Sequence, residues 1–318
     1  MLALWRTGGD VSSTDLTRAE RLAPNFAQAD AHLIHLVVGA MPDGVPAPGR
    51  DSALTQLFDP RNEVAQLFGL ESPGVILLDR NRRFQGAFTG LGPEQALALC
   101  RTHRDREVPG LITEQAPVLL IPNIFSATDC DALIDYWNHG AKEDGNNLAS
   151  TDGGNYYDGP QIKRRADVAI QSKQLFDLVK TRVERRVFPE LLKSFQFTLA
   201  RMEMPRIGCY DSAMLGEFRR HRDNTTPYTA HRKFALSINL NDDYDGGEVA
   251  FPEYGRKVYK PAPGGGVAFS SSLLHEAQPV TRGRRFGLFT FFTDEEGGRR
   301  EAEMMAKHGD KLKQYTLT

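Results

Sequence analysis

The chain has 318 residues, 40% hydrophobic and 25% charged, with 39 Lys+Arg against 41 Asp+Glu and a formal net charge of −2. This is globular composition, long enough for two domains, and its charge balance excludes a strongly basic nucleic-acid binder. Three cysteines without a CxxC pair exclude a disulfide framework, a zinc ribbon and a thioredoxin-type dithiol, and the lack of an apolar run near ~18 residues predicts no membrane span. The first residues carry too short an apolar stretch for a secretory signal, so a cytoplasmic protein is the expectation.

Residues 1–108 read as a small α/β domain. The stretch before His32 offers no clear first strand. His32–Gly39 is a short apolar run ending in turn residues, which predicts a buried strand. Met41–Arg50 is a Pro/Gly-rich loop, Val64–Phe68 has helical spacing, and Gly74–Leu78 is a second buried strand. Asp79–Arg83 is a turn, Phe84–Phe88 a third strand, and Pro93–His103 a closing helix.

After the charged segment Arg104–Gln115 the composition changes, and a second domain is expected over 116–298 with a charged tail at 299–318. Pro117–Pro122 reads as a strand. Ser126 opens a helix as a capping box with Asp129, with Leu133, Ile134 and Trp137 on its apolar face. Gly140–Arg165 is a long Gly-rich loop, the kind that serves as a lid. Gln171–Val187 is a helix. From Phe195 the period becomes two, with β segments at Phe195–Met204, Phe234–Asn239, Gly247–Phe251, Val267–Ser270, His275–Val280 and Arg285–Phe292, the pattern of an antiparallel sandwich or barrel.

The chemistry concentrates in Gly216–Asn224 (GEFRRHRDN). On a strand, His221 and Asp223 would share one face. Two imidazoles and one carboxylate on one face of an octahedron suit Fe(II) and leave positions open for substrate and O2. Of eight histidines, His275 is the best third ligand, because it lies in a β segment; His231 is a loop candidate. His32, His35, His103, His139 and His308 lie in the other domain, at helix ends or in the tail. By itself His-x-Asp equally suits a solvated polar cluster, and Arg219, Arg220 and Arg222 favour that alternative. A turn at Pro279–Gly283 would make the Arg285 strand antiparallel to the His275 strand and bring a carboxylate-binding guanidinium near the metal.

Tyr210, Gly216, Phe218, His221-x-Asp223, Leu240-Asn241, Tyr244, Gly246-Gly247-Glu248, Phe251-Pro252, Gly266, Phe269, His275, Pro279-Val280-Thr281, Gly283 and Arg285 stand in order over about 100 residues. That series resembles the iron(II)/2-oxoglutarate dioxygenases and, among them, the prolyl-4-hydroxylase-like branch. The resemblance implies a double-stranded β-helix with supporting helices, and His221, Asp223 and His275 as a catalytic metal triad for Fe(II). It implies that Arg285 pairs with the C5 carboxylate of 2-oxoglutarate and that Tyr210 adds a hydrogen bond there; a core tyrosine with a satisfied hydroxyl is the other reading of Tyr210. The implied reaction consumes 2-oxoglutarate and O2, with ascorbate as an optional reductant, and releases succinate and CO2 while hydroxylating a peptide or small-molecule substrate. Asp223 disfavours the halogenating variant, which lacks that ligand. Desaturation or cyclisation on the same iron, or an idle binding scaffold, are the alternatives.

Leu57–Phe88, through Asp59, Val64-Ala65, Phe68-Gly69 and the Val75–Asp79 run, resembles the peroxiredoxin-like branch of the thioredoxin fold. No cysteine precedes Cys100, so the resemblance implies a non-catalytic docking or dimerisation module; a peroxidase acting through Cys100 is the alternative. Lys163–Arg165 and Arg219–Arg222 could attract an anion or be solvated loops. Tyr156, Tyr157 and Tyr228 could stack on substrate or pack incidentally. Gly264–Gly266 is expected to be a strand turn.

Overall fold

The computed structural model describes residues 1–7, 13–39, 54–79, 82, 84–105, 111–144, 163–226 and 229–312. The expected loop at Met41–Arg50, most of Gly140–Arg165, and Tyr156, Tyr157 and Tyr228 lie outside the described residues. The chain forms two units, Met1–Leu111 and Ile112–Thr318. Among the described residues no helix is long and apolar enough to cross a membrane.

Unit 1 contains β1 (Leu2–Thr7), α1 (Ser13–Gln28), β2 (His32–Val38), β3 (Leu54–Asp59), α2 (Glu63–Leu67), β4 (Gly74–Leu78), β5 (Phe84–Thr89) and α3 (Pro93–Asp105). They build one sheet in the order β3-β2-β1-β4-β5. β1, β2 and β3 are parallel, whereas β4 runs antiparallel to both β1 and β5. The sequence reading missed β1, α1 and β3, and β1 is the central strand. Side-chain alternation gives the sheet two apolar faces. Ala3, Trp5, Leu33, Val75 and Leu77 pack with Phe26 of α1 and Cys100 of α3. Leu4, Leu36 and Ile76 pack with Ala65 of α2 on the opposite face.

Unit 2 begins with β6 (Leu119–Ile121), α4 (Ala127–His139), β7 (Glu143–Asp144), β8 (Ala166–Ala169), α5 (Lys173–Arg186) and α6 (Phe188–Phe195). The Ser126–Asp129 capping box is complete: Ser126 Oγ accepts from the Asp129 N–H, and the Asp129 carboxylate accepts from the Ser126 N–H. Phe195, expected to open a strand, ends α6 instead, because Phe188–Phe195 packs an apolar stripe on the sheet. The strands β9 (Arg201–Met202), β10 (Arg206–Asp211), β11 (Phe218–His221), β12 (Phe234–Asn239), β13 (Asp245–Gly246), β14 (Val249–Ala250), β15 (Val258–Tyr259), β16 (Gly266–Ser270), β17 (His275–Ala277), β18 (Val280–Arg282) and β19 (Arg284–Thr293) follow. The final helix α7, Glu295–Leu312, runs through most of the segment expected as a tail.

Two main antiparallel sheets and a two-stranded one, β13-β18, result. The large one is ordered β6-β16-β12-β19-β10-β8-β7, with β9 on β19; the small one is β11-β17-β14-β15. This mixed architecture is consistent with a jelly-roll core. The period of two explains how the large sheet serves two layers. Leu236, Ile238, Phe286, Leu288 and Ile207 point to Leu133, Val179, Val183 and Leu191 of the helices. Each such side chain, fully buried, contributes about 1.5–3 kcal/mol. The intervening Ala235, together with Val267 and Phe269 of β16, packs against Val249 and Phe251 on the small-sheet side. The same parity sends Tyr210, Ser237, Asn239 and Arg285 inward.

Candidate active site

His221 closes β11 and His275 opens β17, and the two are cross-strand partners in the small sheet with ring centroids 4.2 Å apart. Asp223 is not on the strand with His221 as expected. It lies in the turn beyond, pinned by its N–H donating to the Ser271 carbonyl at 3.0 Å. His221 Nε2 stands 3.4 Å from Asp223 Oδ1, and His275 Nε2 stands 3.5 Å from Asp223 Oδ2. One ligand atom from each residue lies within 4.8 Å of the others.

The backbone decides the protonation of the imidazoles. His221 Nδ1 is 2.7 Å from the Arg219 carbonyl and His275 Nδ1 is 3.0 Å from the Leu273 carbonyl. A carbonyl only accepts, so each Nδ1 carries the proton and, in the neutral ring, Nε2 presents a bare lone pair. Burial lowers the pKa of His275, against the pull of Asp223. Burial alone would raise the Asp223 carboxyl, but the flanking His275 and His221 outweigh it and bring it down to about 2. In the neutral rings the two Nε2 lone pairs face the Asp223 carboxylate. That donor set fits a divalent cation of intermediate hardness such as Fe(II). Phe218 stacks on His221 at 3.5 Å and Phe269 meets His275 edge-on at 4.6 Å, walling the site with apolar rings.

Arg285 enters from the opposite sheet. The expected antiparallel pairing of its strand with that of His275 does not occur: Val280–Arg282 forms β18 against β13, and β19 pairs with β10 and β12. Arg285 is 1% exposed. Its Nε donates to Asn239 Oδ1 at 3.1 Å, and its Nη2 donates to Ser237 Oγ and Asn239 Oδ1. Its Nη1 is buried without a hydrogen-bond partner, and so is the hydroxyl of Tyr244. Burial raises the Tyr244 pKa while the charge of Arg285 pulls it down. Gly247, at φ +69°, leaves room for both: a Cβ there would stand 3.0 Å from Arg285 Cδ and 3.3 Å from Tyr244 Cε2.

Tyr210 is the cross-strand partner of Arg285, whose guanidinium carbon lies 5.3 Å from its ring centre. Its hydroxyl accepts a hydrogen bond from Arg165 Nη1 at 3.1 Å. Tyr210 thus accepts from Arg165 and keeps its own O–H free to donate, and the Tyr244 hydroxyl is a second phenol with no hydrogen-bond partner among the described residues. The sequence reading gave no role to Asn239, Ser237 or Tyr244. The available signal was Ser237 and Asn239 at alternate positions of the otherwise apolar run FALSIN.

Lys163 and Arg165 are buried beside Asp167 rather than solvated. At the rim, Arg219 and Arg164 pair with Glu217, Arg220 with Glu276 and Arg222 with Glu253. His231 is not near the metal ligands' centre: its Nε2 meets Glu203 Oε1 at 3.0 Å, where Arg232 forks the same carboxylate. In unit 1, Cys100 is fully buried, and burial pushes its thiol up to about 11.

No family model matches the chain. A PKHD-type hydroxylase of Synechococcus sp. (strain JA-2-3B'a(2-13)) is 26% identical over 131 residues, covering 37% of this chain and 53% of the relative. One of Stutzerimonas stutzeri is 26% identical over 185 residues, covering 54% of this chain and 76% of the relative. A solved prolyl hydroxylase from Trichoplax adhaerens, in complex with a hypoxia inducible factor peptide fragment, aligns with TM-score 0.48 and 15% identity, over 58% of this chain and 86% of that one. The chain spans about half the length of the first of these relatives. By its sequence relatives, the chain is similar to the PKHD-type hydroxylases.

Proposed function

We propose that the protein is an Fe(II)- and 2-oxoglutarate-dependent hydroxylase. His221, Asp223 and His275 would hold the iron, and Arg285 would take the C5 carboxylate of 2-oxoglutarate. The observation that carries this reading is Arg285, reaching in from β19 with a buried Nη1 that has no hydrogen-bond partner among the described residues. A buried guanidinium with an idle N–H is costly unless an anion completes it. Tyr244 joins Tyr210 as a candidate second donor in this assignment. Bound iron supplies the activation of O2 that couples conversion of 2-oxoglutarate to succinate and CO2 with substrate hydroxylation. The chain's own part is to present two neutral imidazoles and a carboxylate, to anchor the co-substrate, and to keep water from the site with Phe218, Phe251 and Phe269. A binding scaffold without chemistry would have no use for this convergence of donors.

We infer further that unit 1 is a thioredoxin-like module without thiol chemistry, suited to docking or dimerisation. Its β2-β1-β4-β5 order, with α1 and α3 on one face, supports the fold, and the buried Cys100 opposes a peroxidase.

The test is anaerobic Fe(II) binding followed by 2-oxoglutarate, monitored by visible absorption. A weak charge-transfer band that His275→Ala abolishes is the expected result. Iron uptake without that band on adding 2-oxoglutarate refutes the reading.

A further inference from the structure

Lys163 is the unusual charge in unit 2. It is 8% exposed, yet among the described residues its ammonium has a single hydrogen bond, to Asp167 Oδ2 at 3.1 Å. That carboxylate is already forked by Arg165, through Nε at 2.5 Å and Nη2 at 2.8 Å. Asp167 is 2% exposed and neutralises only one of the two cations. The buried trio therefore carries one net positive charge. Burial lowers the Lys163 pKa to about 8, with Arg165 adding to that and Asp167 opposing it, so the ammonium stays charged at neutral pH. An uncompensated buried charge is among the most expensive features a fold can hold.

Its position ties it to the active site. Lys163 forms an isolated antiparallel bridge with Phe218, extending the small sheet beyond β11. Its Nζ lies 5.4 Å from the Phe218 ring centre, and the Phe218 ring stacks on His221. Phe218 is thus a wall shared by the ammonium and the metal site. On the other side, Arg165 donates to Tyr210 and covers Phe289 at 4.1 Å, and Phe289 also faces Arg285.

Charge balance separates this trio from the co-substrate's anchor. Two positive charges on iron and one on Arg285 match the one on Asp223 and the two on 2-oxoglutarate. At the rim, Arg220 and Arg222 each have a glutamate, and Arg164 and the exposed Arg219 share Glu217. Among the described residues, the buried charge shared by Lys163, Arg165 and Asp167 has no counterpart in the co-substrate set.

We propose that Lys163 is a substrate-recognition residue and that the substrate carries a carboxylate, which pairs with the Lys163 ammonium beside Phe218. One surplus positive charge matches a monoanion, and the ammonium has two N–H donors to spare. The carboxylate belongs either to a free small acid or to an acidic side chain of a peptide. This proposal rests on the hydroxylase reading and names its substrate class.

The test measures binding by calorimetry to full-length protein loaded with Zn(II) and saturated with 2-oxoglutarate, so that no turnover intervenes. One probe series is N-acetyl leucine, proline and phenylalanine against their amides. The other is capped Gly-Gly-Asp-Gly-Gly and Gly-Gly-Glu-Gly-Gly against their Asn and Gln twins. The expected result is a preference for acid over amide in one series, which identifies the source. Lys163→Met should weaken the acid about 30-fold or more and leave the amide unchanged, while Lys163→Arg keeps most of the preference. The anaerobic Fe(II) and 2-oxoglutarate band, retained in Lys163→Met, shows that the variant is folded. No preference for acid in either series, or one that survives Lys163→Met, overturns the proposal. A missing band in the wild type overturns the hydroxylase reading instead.

Discussion

Replacing Arg285 by methionine separates a ligand anchor from a structural ion. The side chain is 1% exposed and leaves Nη1 without a partner, a penalty of about 1–3 kcal/mol that methionine removes. The same change strips Asn239 Oδ1 and Ser237 Oγ of their donor, an opposing cost of similar size. Without ligand, stability should therefore move by less than about 2 kcal/mol. Binding of 2-oxoglutarate should suffer far more, because breaking a desolvated charge pair costs about 2–5 kcal/mol, or about 30- to 3000-fold in Kd. Thermal unfolding under anaerobic conditions with Fe(II) reads both effects. At a ligand concentration of about 100 times the wild-type Kd, wild type gains about 2.7 kcal/mol. For a unit of this size that is a rise in Tm of about 5–10 °C. At the same concentration the variant should gain less than about 1 kcal/mol. An equal rise in both proteins, or collapse of the variant before any ligand is added, would refute the assignment.

Three further outcomes are expected. Tyr244→Phe removes a buried hydroxyl without a partner, so the unliganded protein should hold or gain up to about 1 kcal/mol, while 2-oxoglutarate titration shows weaker binding. Gly247→Ala puts a Cβ 2.9 Å from Val280 Cγ2 and 3.0 Å from Arg285 Cδ at a positive φ; it should cost about 1–2 kcal/mol in denaturant unfolding and weaken 2-oxoglutarate as well. Burial would raise the Glu203 carboxyl, but Arg232 and His231 hold it down to about 2, so its contribution is complete above the unfolded value near 4.5 and is lost as pH falls toward 2. Glu203→Gln should flatten acid unfolding in that window and, at pH 7, cost about 3–5 kcal/mol by leaving Arg232 buried without its carboxylate.

The sequence grouped His221, Asp223 and His275, which the structure brings together, because ligand chemistry depends on residue type: few side chains replace imidazole and carboxylate at a metal. Arg285 was legible for the same reason, but its route was not. Pro279 and Gly283 suggested one turn, whereas Val280–Arg282 makes a short strand with β13 and carries the chain to the other sheet. Long-range pairing of this kind leaves little local signal. Phe188–Phe195 was missed because its last residue also fits a β-like run, and packing on the large sheet decides in favour of helix. The central strand of unit 1 escaped because Leu2–Thr7 ends in polar residues, Arg6 and Thr7, that become buried only in the sheet. Tyr210 and Tyr244 could not be ranked from sequence. Arg165, 45 positions away, donates to the Tyr210 hydroxyl, whereas the Tyr244 hydroxyl has no such partner among the described residues.

The two histidine rings are steered by main-chain oxygens of Arg219 and Leu273. Any amino acid supplies such an oxygen. Side-chain replacement at those two positions therefore leaves the steering group in place, and an alanine scan would pass over it in silence. Only a change to the chain itself, such as an ester in place of the peptide link or an inserted residue, would turn the rings loose. The orientation of the two Nε2 atoms is thus insulated from mutation at the very residues that enforce it, whereas His221, Asp223 and His275 themselves have no such protection.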